Sequence, residues 1–211
     1  MTIFEENCHQ LFLSAMKKNI KKSNQIFIVG IDEVGRGALA GPLVLGAVAG
    51  YLNNQNINFL KGIKDSKHLT FKQRVEWYNK LIYSDLQLYT VSISNKFIDQ
   101  YGMAQSLKEG VRRLLNKIQF EPDLVLLDGG LRAPQKYFQQ TIIHGDEKNP
   151  FIAAASIYAK VRRDFYMIRL DKKFNYYFKE HKGYGTRKHY EMIKKNGLSP
   201  KHRKSFLKKL H

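Results

Sequence analysis

The side chains in this chain with the clearest capacity for chemistry are acids placed where apolar runs stop. The stretch IVGIDEVGRGALAGP carries Asp32 and Glu33 at the end of such a run, with Arg36 following at once between Gly35 and Gly37. Successive strand side chains point to opposite faces, so two adjacent acids cannot both enter a core. An unpaired buried carboxylate costs several kcal/mol. At the C-terminal end of a strand the two can instead converge on a cation. Taken alone, the pair has two readings: an ion pair with Arg36 in a solvated turn, or a pair of metal ligands. The pattern recurs. Asp128 ends the run DLVLLD just before Gly129-Gly130, and Asp146 follows TIIH shortly before Pro150. Each also has an ordinary reading, a turn-forming Asp-Gly and a helix-capping acid. Together they place carboxylates where adjacent central strands would end on one side of a sheet. Like charges so placed repel and raise each other's pKa, and divalent cations relieve that. Mg²⁺ takes hard oxygen ligands and leaves room for water and phosphate oxygens. Two such ions roughly 3.5–4 Å apart suit phosphodiester hydrolysis.

The rest of the chain is basic: 36 Lys+Arg stand against 18 Asp+Glu, a net charge of +18 over 211 residues. An excess of that size points to a polyanion partner, nucleic acid above all, with a solubilising surface as the plainer alternative. The basic surface would hold the polyanion and the acids the metals. No apolar run approaches the roughly 20 residues of a membrane span, and no signal-peptide pattern opens the chain. The single cysteine, Cys8, cannot form an internal disulfide, and no Cys/His spacing suggests zinc, so a reducing cytoplasm is the default. The histidines are not at metal spacing; His144 and His189 read as structural or solvent-facing, and Asp164 as the ion-pair partner of a neighbouring Arg or Lys.

The elements that must position these groups follow from periodicity and punctuation. Residues 10–24 read as a helix ending in a basic run. Residues 26–32 and 43–51 read as strands, 53–69 as polar loop, and 70–83 as a helix with Thr70 as N-cap. The run LQLYTVSIS (86–94) alternates with period two and reads as a half-buried strand. Residues 96–118 carry Met103, Leu107, Val111 and Leu114 on one helical face. Short strands follow at 123–127 and 141–143. Asn149-Pro150 reads as N-cap plus first-turn proline of a helix running to residue 170. The segment Ile152 to Val161 reads as a packing surface, with a phosphate contact from Ser156 as the lesser alternative. Strands clustered as a meander, then helices alternating with strands, predict an α/β domain on a mixed central sheet with a helical C-terminal portion.

Five segments, GIDEVGRGALAGPLVLGAV, KDSKHL, VLLDGG, HGDEKNPFIAAASIYAKVRRD and YYFKEHKGYGTRKHYE, resemble the motifs of type 2 ribonucleases H, the ribonuclease HII family, in the family's order. The late HRKSF is similar to its C-terminal signature. The resemblance spans about residues 26 to 206. It implies a ribonuclease H-like fold, with a basic helical extension over 1–25, a catalytic domain over 26–170 and a substrate-binding helical portion over 171–211 packed on the same domain. It implies an endoribonuclease that cuts RNA in RNA/DNA hybrids and cuts 5′ to single ribonucleotides in duplex DNA, leaving 5′-phosphate and 3′-hydroxyl ends. By motif position Asp32, Glu33, Asp128 and Asp146 would hold two Mg²⁺ or Mn²⁺ ions. Gly35, Arg36 and Gly37 would contact the ribose 2′-hydroxyl and a phosphate. Tyr184 would pack on the following sugar, and Lys67 would lie near the scissile region. A monomer that acts on nucleic acid away from any membrane is expected.

The chain departs from the common pattern at Ala38, where many members have proline, at Gly130, where many have Asn, and at Arg162. It shows neither the Gly-Lys-Gly turn nor the added N-terminal domain of the ribonuclease HIII group. Two other classes compete: a nuclease or strand-transfer enzyme that cuts all-DNA duplexes with the same acids, and a non-catalytic binder that kept only the fold.

Overall fold

The computed structural model describes residues 26–63 and 69–208; the basic extension over 1–25 and Lys67 lie outside them. Five strands form one sheet: β1 (Phe27–Val34), β2 (Leu43–Tyr51), β3 (Gln87–Ile93), β4 (Leu124–Asp128) and β5 (Gln139–Ile142). Their order is β3-β2-β1-β4-β5. The first three make an antiparallel meander, while β4 and β5 add parallel to β1 and to each other. This is the mixed sheet of a ribonuclease H-like fold. The helices are α1 (Asn54–Leu60), α2 (Phe71–Ile82), α3 (Asn95–Leu115), α4 (Gly145–Lys148), α5 (Pro150–Asp171), α6 (Phe178–His181) and α7 (Arg187–Asn196). No helix among the described residues is long and apolar enough to cross a membrane.

Side-chain alternation along β1 divides the core in two. Val29 and Ile31 face α3, packing with Leu107, Val111 and Leu114. Ile28 faces α5, packing with Phe151, Ile152 and Ala155. The approach of α5 depends on glycines. A Cβ on Gly30 would stand 2.4 Å from the Phe151 carbonyl carbon, and one on Gly46 would stand 2.6 Å from the Ala155 oxygen. The alanines of IAAAS and these glycine windows let the helix lie directly on β1 and β2, close enough for a side chain on α5 to reach the end of β1.

Local signals account for most boundaries. Thr70 caps α2 in a reciprocal box with Gln73. Asn149 accepts from the Phe151 and Ile152 amides, with Pro150 in the first turn of α5. Several elements differ from the sequence reading; β5 begins two residues earlier than expected, and α4 lies where no helix was read. The 53–69 stretch contains α1, nucleated by the Asn53 cap and held by buried Asn56 and Leu60 one turn apart. The α3 helix breaks at Gly102, which adopts φ +76°. Strand β1 runs on to Val34, because its ladder with β2 continues through Glu33–Leu45 and Val34–Val44. Asp32 and Glu33 therefore lie in the last residues of a paired strand.

Candidate active site

Sheet register brings the first acids together. Strands β1 and β4 are parallel neighbours with Ile31 opposite Leu127. Asp32 and Asp128 come one residue later on each strand, so they emerge side by side at the same end of the sheet. By alternation Asp32 shares the face of Ile28 and Gly30, the face that α5 covers. There it accepts a hydrogen bond from Ser156, which holds its carboxyl down. Its Oδ1 also accepts the Glu33 backbone N–H at 2.7 Å. Against these two contacts, burial drives the Asp32 pKa well above the carboxylate range, and the charges of Glu33 and Asp128 push it the same way.

Asp128 Oδ1 accepts the Gly145 N–H at 2.6 Å, which ties the end of β4 to the start of α4. Asp146, the next residue, is buried. Asp32, Glu33 and Asp128 line a cleft of about 350 Å³ together with Val34, Gly35, Arg36, Gly37, Arg74, Ser156, Lys160 and Tyr184. Asp146 is not part of that lining. Among the described residues no three acidic or histidine side chains stand close enough to cage one ion.

The turn after β1 forms one wall. Gly35 adopts φ +91°, and a Cβ there would stand 2.2 Å from Arg163 Nε, so packing alone requires glycine. Gly37 is different: a Cβ would meet nothing within 4 Å. Its bare backbone opens on the cleft. Arg36 is largely exposed, with Nη1 3.7 Å from Glu33, a loose pair worth little in solvent.

Two buried arginines hold this wall from behind. Arg163 donates from Nε to the Pro42 carbonyl, from Nη1 to Lys182 and from Nη2 to Ala40. Arg203 donates from Nε to Gly41 and from Nη1 to Arg36. Both are fully buried, and burial pulls both guanidinium pKa values down. Five main-chain carbonyls thus take the place of carboxylate partners. The chain at 39–41 is further bonded on two sides: the Leu39 amide donates to the Gly183 carbonyl at 2.8 Å, the Gly41 amide to Lys201, and the Arg203 amide to Leu39. The loop bearing Tyr184 is therefore joined to the glycine-arginine turn although about 145 residues separate them in the sequence. Tyr184 faces the cleft with the Arg163 guanidinium 5.3 Å from its ring centre.

Sequence reasoning did not single out Arg74, Lys160, Arg163 or Arg203, and it read Ser156 chiefly as packing. The helical spacing of Ser156, Lys160 and Arg163 on one side of α5 was the available signal. Nothing local distinguishes Arg203 within HRKSF. Asp164 pairs with Lys160 at 2.9 Å, as its neighbourhood suggested.

Residues 29–211 match the family model described as Ribonuclease HII. A ribonuclease HII of Coxiella burnetii is 39% identical over 187 residues, covering 88% of this chain and 91% of its own length. One of Prochlorococcus marinus is 43% identical over 188 residues, covering 87% and 91%. Among solved structures, the ribonuclease H2 of Pyrococcus horikoshii superposes with a TM-score of 0.72 at 28% identity, covering 88% of this chain and 97% of that one.

Proposed function

The chain belongs to the ribonuclease HII family, metal-dependent endoribonucleases that act on RNA/DNA hybrids, and on that premise we propose that its cleft also incises duplex DNA on the 5′ side of a lone ribonucleotide. The carrying observation is the junction of opposites in one cleft: an acidic floor of Asp32, Glu33 and Asp128 beneath a wall of open glycine backbone, Arg36 and Tyr184.

The donor set fits a hard divalent cation. Its ligands are carboxylate oxygens; burial above all, and then the charges of Glu33 and Asp128, raise the Asp32 pKa, and a bound cation would relieve both. Mg²⁺ or Mn²⁺ suits such oxygen donors, with water and substrate phosphate completing the shell. Asp32, Glu33, Asp128 and Asp146 are the holders in this reading. Two ions so held would activate the attacking water and stabilise the leaving 3′-oxygen.

The protein's own share is positioning. Ser156 and the Glu33 amide orient the Asp32 carboxylate. Gly37 lets the sugar approach the main chain, whose N–H and C=O groups can bond a 2′-hydroxyl. Arg36, tethered loosely, turns to a phosphate in a fork. Tyr184 packs on the sugar that follows, where a second 2′-hydroxyl would be crowded, and so reads an RNA-to-DNA junction. Arg74 and Lys160 add positive charge to the rim. The segment after residue 170, which carries Tyr184 and Arg203, serves as the substrate-holding portion.

The test uses end-labelled duplexes: all DNA, DNA with one ribonucleotide, and an RNA/DNA hybrid, each with Mg²⁺, Mn²⁺ or chelator. A single metal-dependent cut 5′ to the lone ribonucleotide is expected. Cleavage of the hybrid alone overturns the junction reading.

A further inference from the structure

Behind the Tyr184 loop lie three buried histidines that the proposed chemistry does not use. His181, His189 and His202 sit around Phe178, with the His181 and His189 rings stacked at 4.3 Å. Their protons are fixed by partners that can play only one role. The Ser199 backbone N–H donates to His202 Nδ1 at 2.8 Å, so the His202 proton sits on Nε2. The Tyr184 carbonyl can only accept, so the His189 proton sits on Nδ1, 2.9 Å away. His189 Nε2 is then bare and accepts from His202 Nε2–H at 3.0 Å. His181 follows the same logic, taking the Gly183 N–H on Nδ1 and donating from Nε2 to Tyr176. Every ring must be neutral, since protonating His189 or His202 would set two N–H groups against each other.

What this chain of bonds joins is specific. One end is the carbonyl of Tyr184. At the other end His202 pairs with Ala40 as an isolated bridge, and its neighbour Arg203 holds the carbonyl of Arg36 at 3.0 Å. The path Tyr184–His189–His202–Arg203–Arg36 thus connects the tyrosine and the arginine that both line the cleft. We propose that His189 and His202 are positioning residues that set Tyr184 against the glycine-arginine turn and thereby govern discrimination between a lone ribonucleotide and a continuous hybrid. This rests on the junction-sensing reading of Tyr184. The groups facing the pair are His181 stacked on His189 from α6, the Phe178 ring edge-on to His189, the Tyr176 ring edge-on to His202 at 4.8 Å, and the Ser199 hydroxyl at His202 Nδ1; Glu180, Asp171 and Lys182 act on His181.

Three variants and one spectrum test it. His202→Leu removes the bond to His189; His202→Gln returns an N–H donor near the same place; Tyr184→Ala is the benchmark. The readout is kcat/KM on the lone-ribonucleotide duplex divided by that on the hybrid. His202→Leu is expected to lower this ratio about fivefold, the size of one net hydrogen bond, mainly through KM, with His202→Gln within about twofold of wild type. The Tyr184→Ala/His202→Leu double variant should fall no further than Tyr184→Ala. If Tyr184→Ala lowers the ratio and His202→Leu does not, the positioning role is wrong and the tyrosine reading stands. If Tyr184→Ala leaves the ratio intact, the tyrosine reading fails and the relay loses its purpose. Should His202→Leu not fold, long-range ¹H–¹⁵N spectra of the wild-type imidazoles decide. The Nδ1–H tautomer at His189 and Nε2–H at His202 at neutral pH support the relay, and any other pair of tautomers overturns it.

Discussion

Replacing Asp128 by Asn separates what the acid does electrically from what it does structurally. Its Oδ1 accepts the Gly145 amide at 2.6 Å and so seats the loop that leads to Asp146. An asparagine oxygen keeps that bond, and only the charge is lost. Losing one preorganised group that stabilises charge in the transition state costs about 2.7–4 kcal/mol, about 10²–10³-fold in rate. The fold should not suffer, because the charge removed is one of those pushing up the Asp32 pKa. Asp128→Ala differs: the Gly145 N–H loses its partner, at about 1–3 kcal/mol. The assay pairs single-turnover cleavage with thermal unfolding in chelator and in Mg²⁺. An ion at a hundred times its Kd stabilises the wild type by about 2.7 kcal/mol, about 5–10 °C for a chain of this length. Asp128→Asn should match the wild-type Tm in chelator, lose most of the Mg²⁺ shift and lose turnover. Retention of more than about a tenth of the wild-type rate, well above the 10²-fold loss worked out here, would refute the reasoning, as would a wild-type Tm indifferent to Mg²⁺.

Gly35→Ala forces a Cβ to 2.2 Å from Arg163 Nε at φ +91° and should lower stability by about 1–3 kcal/mol, whereas Gly37→Ala should leave Tm unchanged and raise KM; equal melting losses for both would contradict this. His189 and His202 are drawn from 6.5 down to about 4 by burial. Depressed folded values mean the unfolded chain binds more protons, so this stability is complete above the unfolded value and is lost as pH falls from about 6.5 towards 4, by up to about 2 kcal/mol per ring at pH 5, measurable by urea unfolding at pH 7 and 5. Ser156→Ala removes a hydrogen bond that holds the Asp32 carboxyl down, so the acid limb of the pH–rate profile should move to higher pH, with Tm near wild type.

The gathering of Asp32, Glu33 and Asp128 in one cleft was legible because each acid stands at the end of an apolar run; Asp146, read with them, lies outside that lining. The strands at 43–51, the Thr70 and Asn149 caps, and the apolar stripe of α3 were legible for the same kind of reason: they are local patterns whose energetics operate over a few residues. The α1 helix was not, since its hold comes from burying Leu60 against distant chain. Nor was the reach of β1 past Asp32, which depends on where β2 keeps pairing.

From the residues alone come the chemistry and its neighbourhood: carboxylates for a cation, a basic surface for a polyanion, glycines where backbone must be bare. Tertiary structure alone decided which groups meet. Parallel register set Asp32 beside Asp128 while Asp146 stays outside the cleft lining, and the glycine windows under α5 brought Ser156 to Asp32. Arg163 and Arg203, written as two more cations in a chain full of them, became buried clamps on five carbonyls. A side chain's type fixes what bonds it can make, but the partners here lie up to 167 residues away, and only the fold brings such distances to hydrogen-bond length.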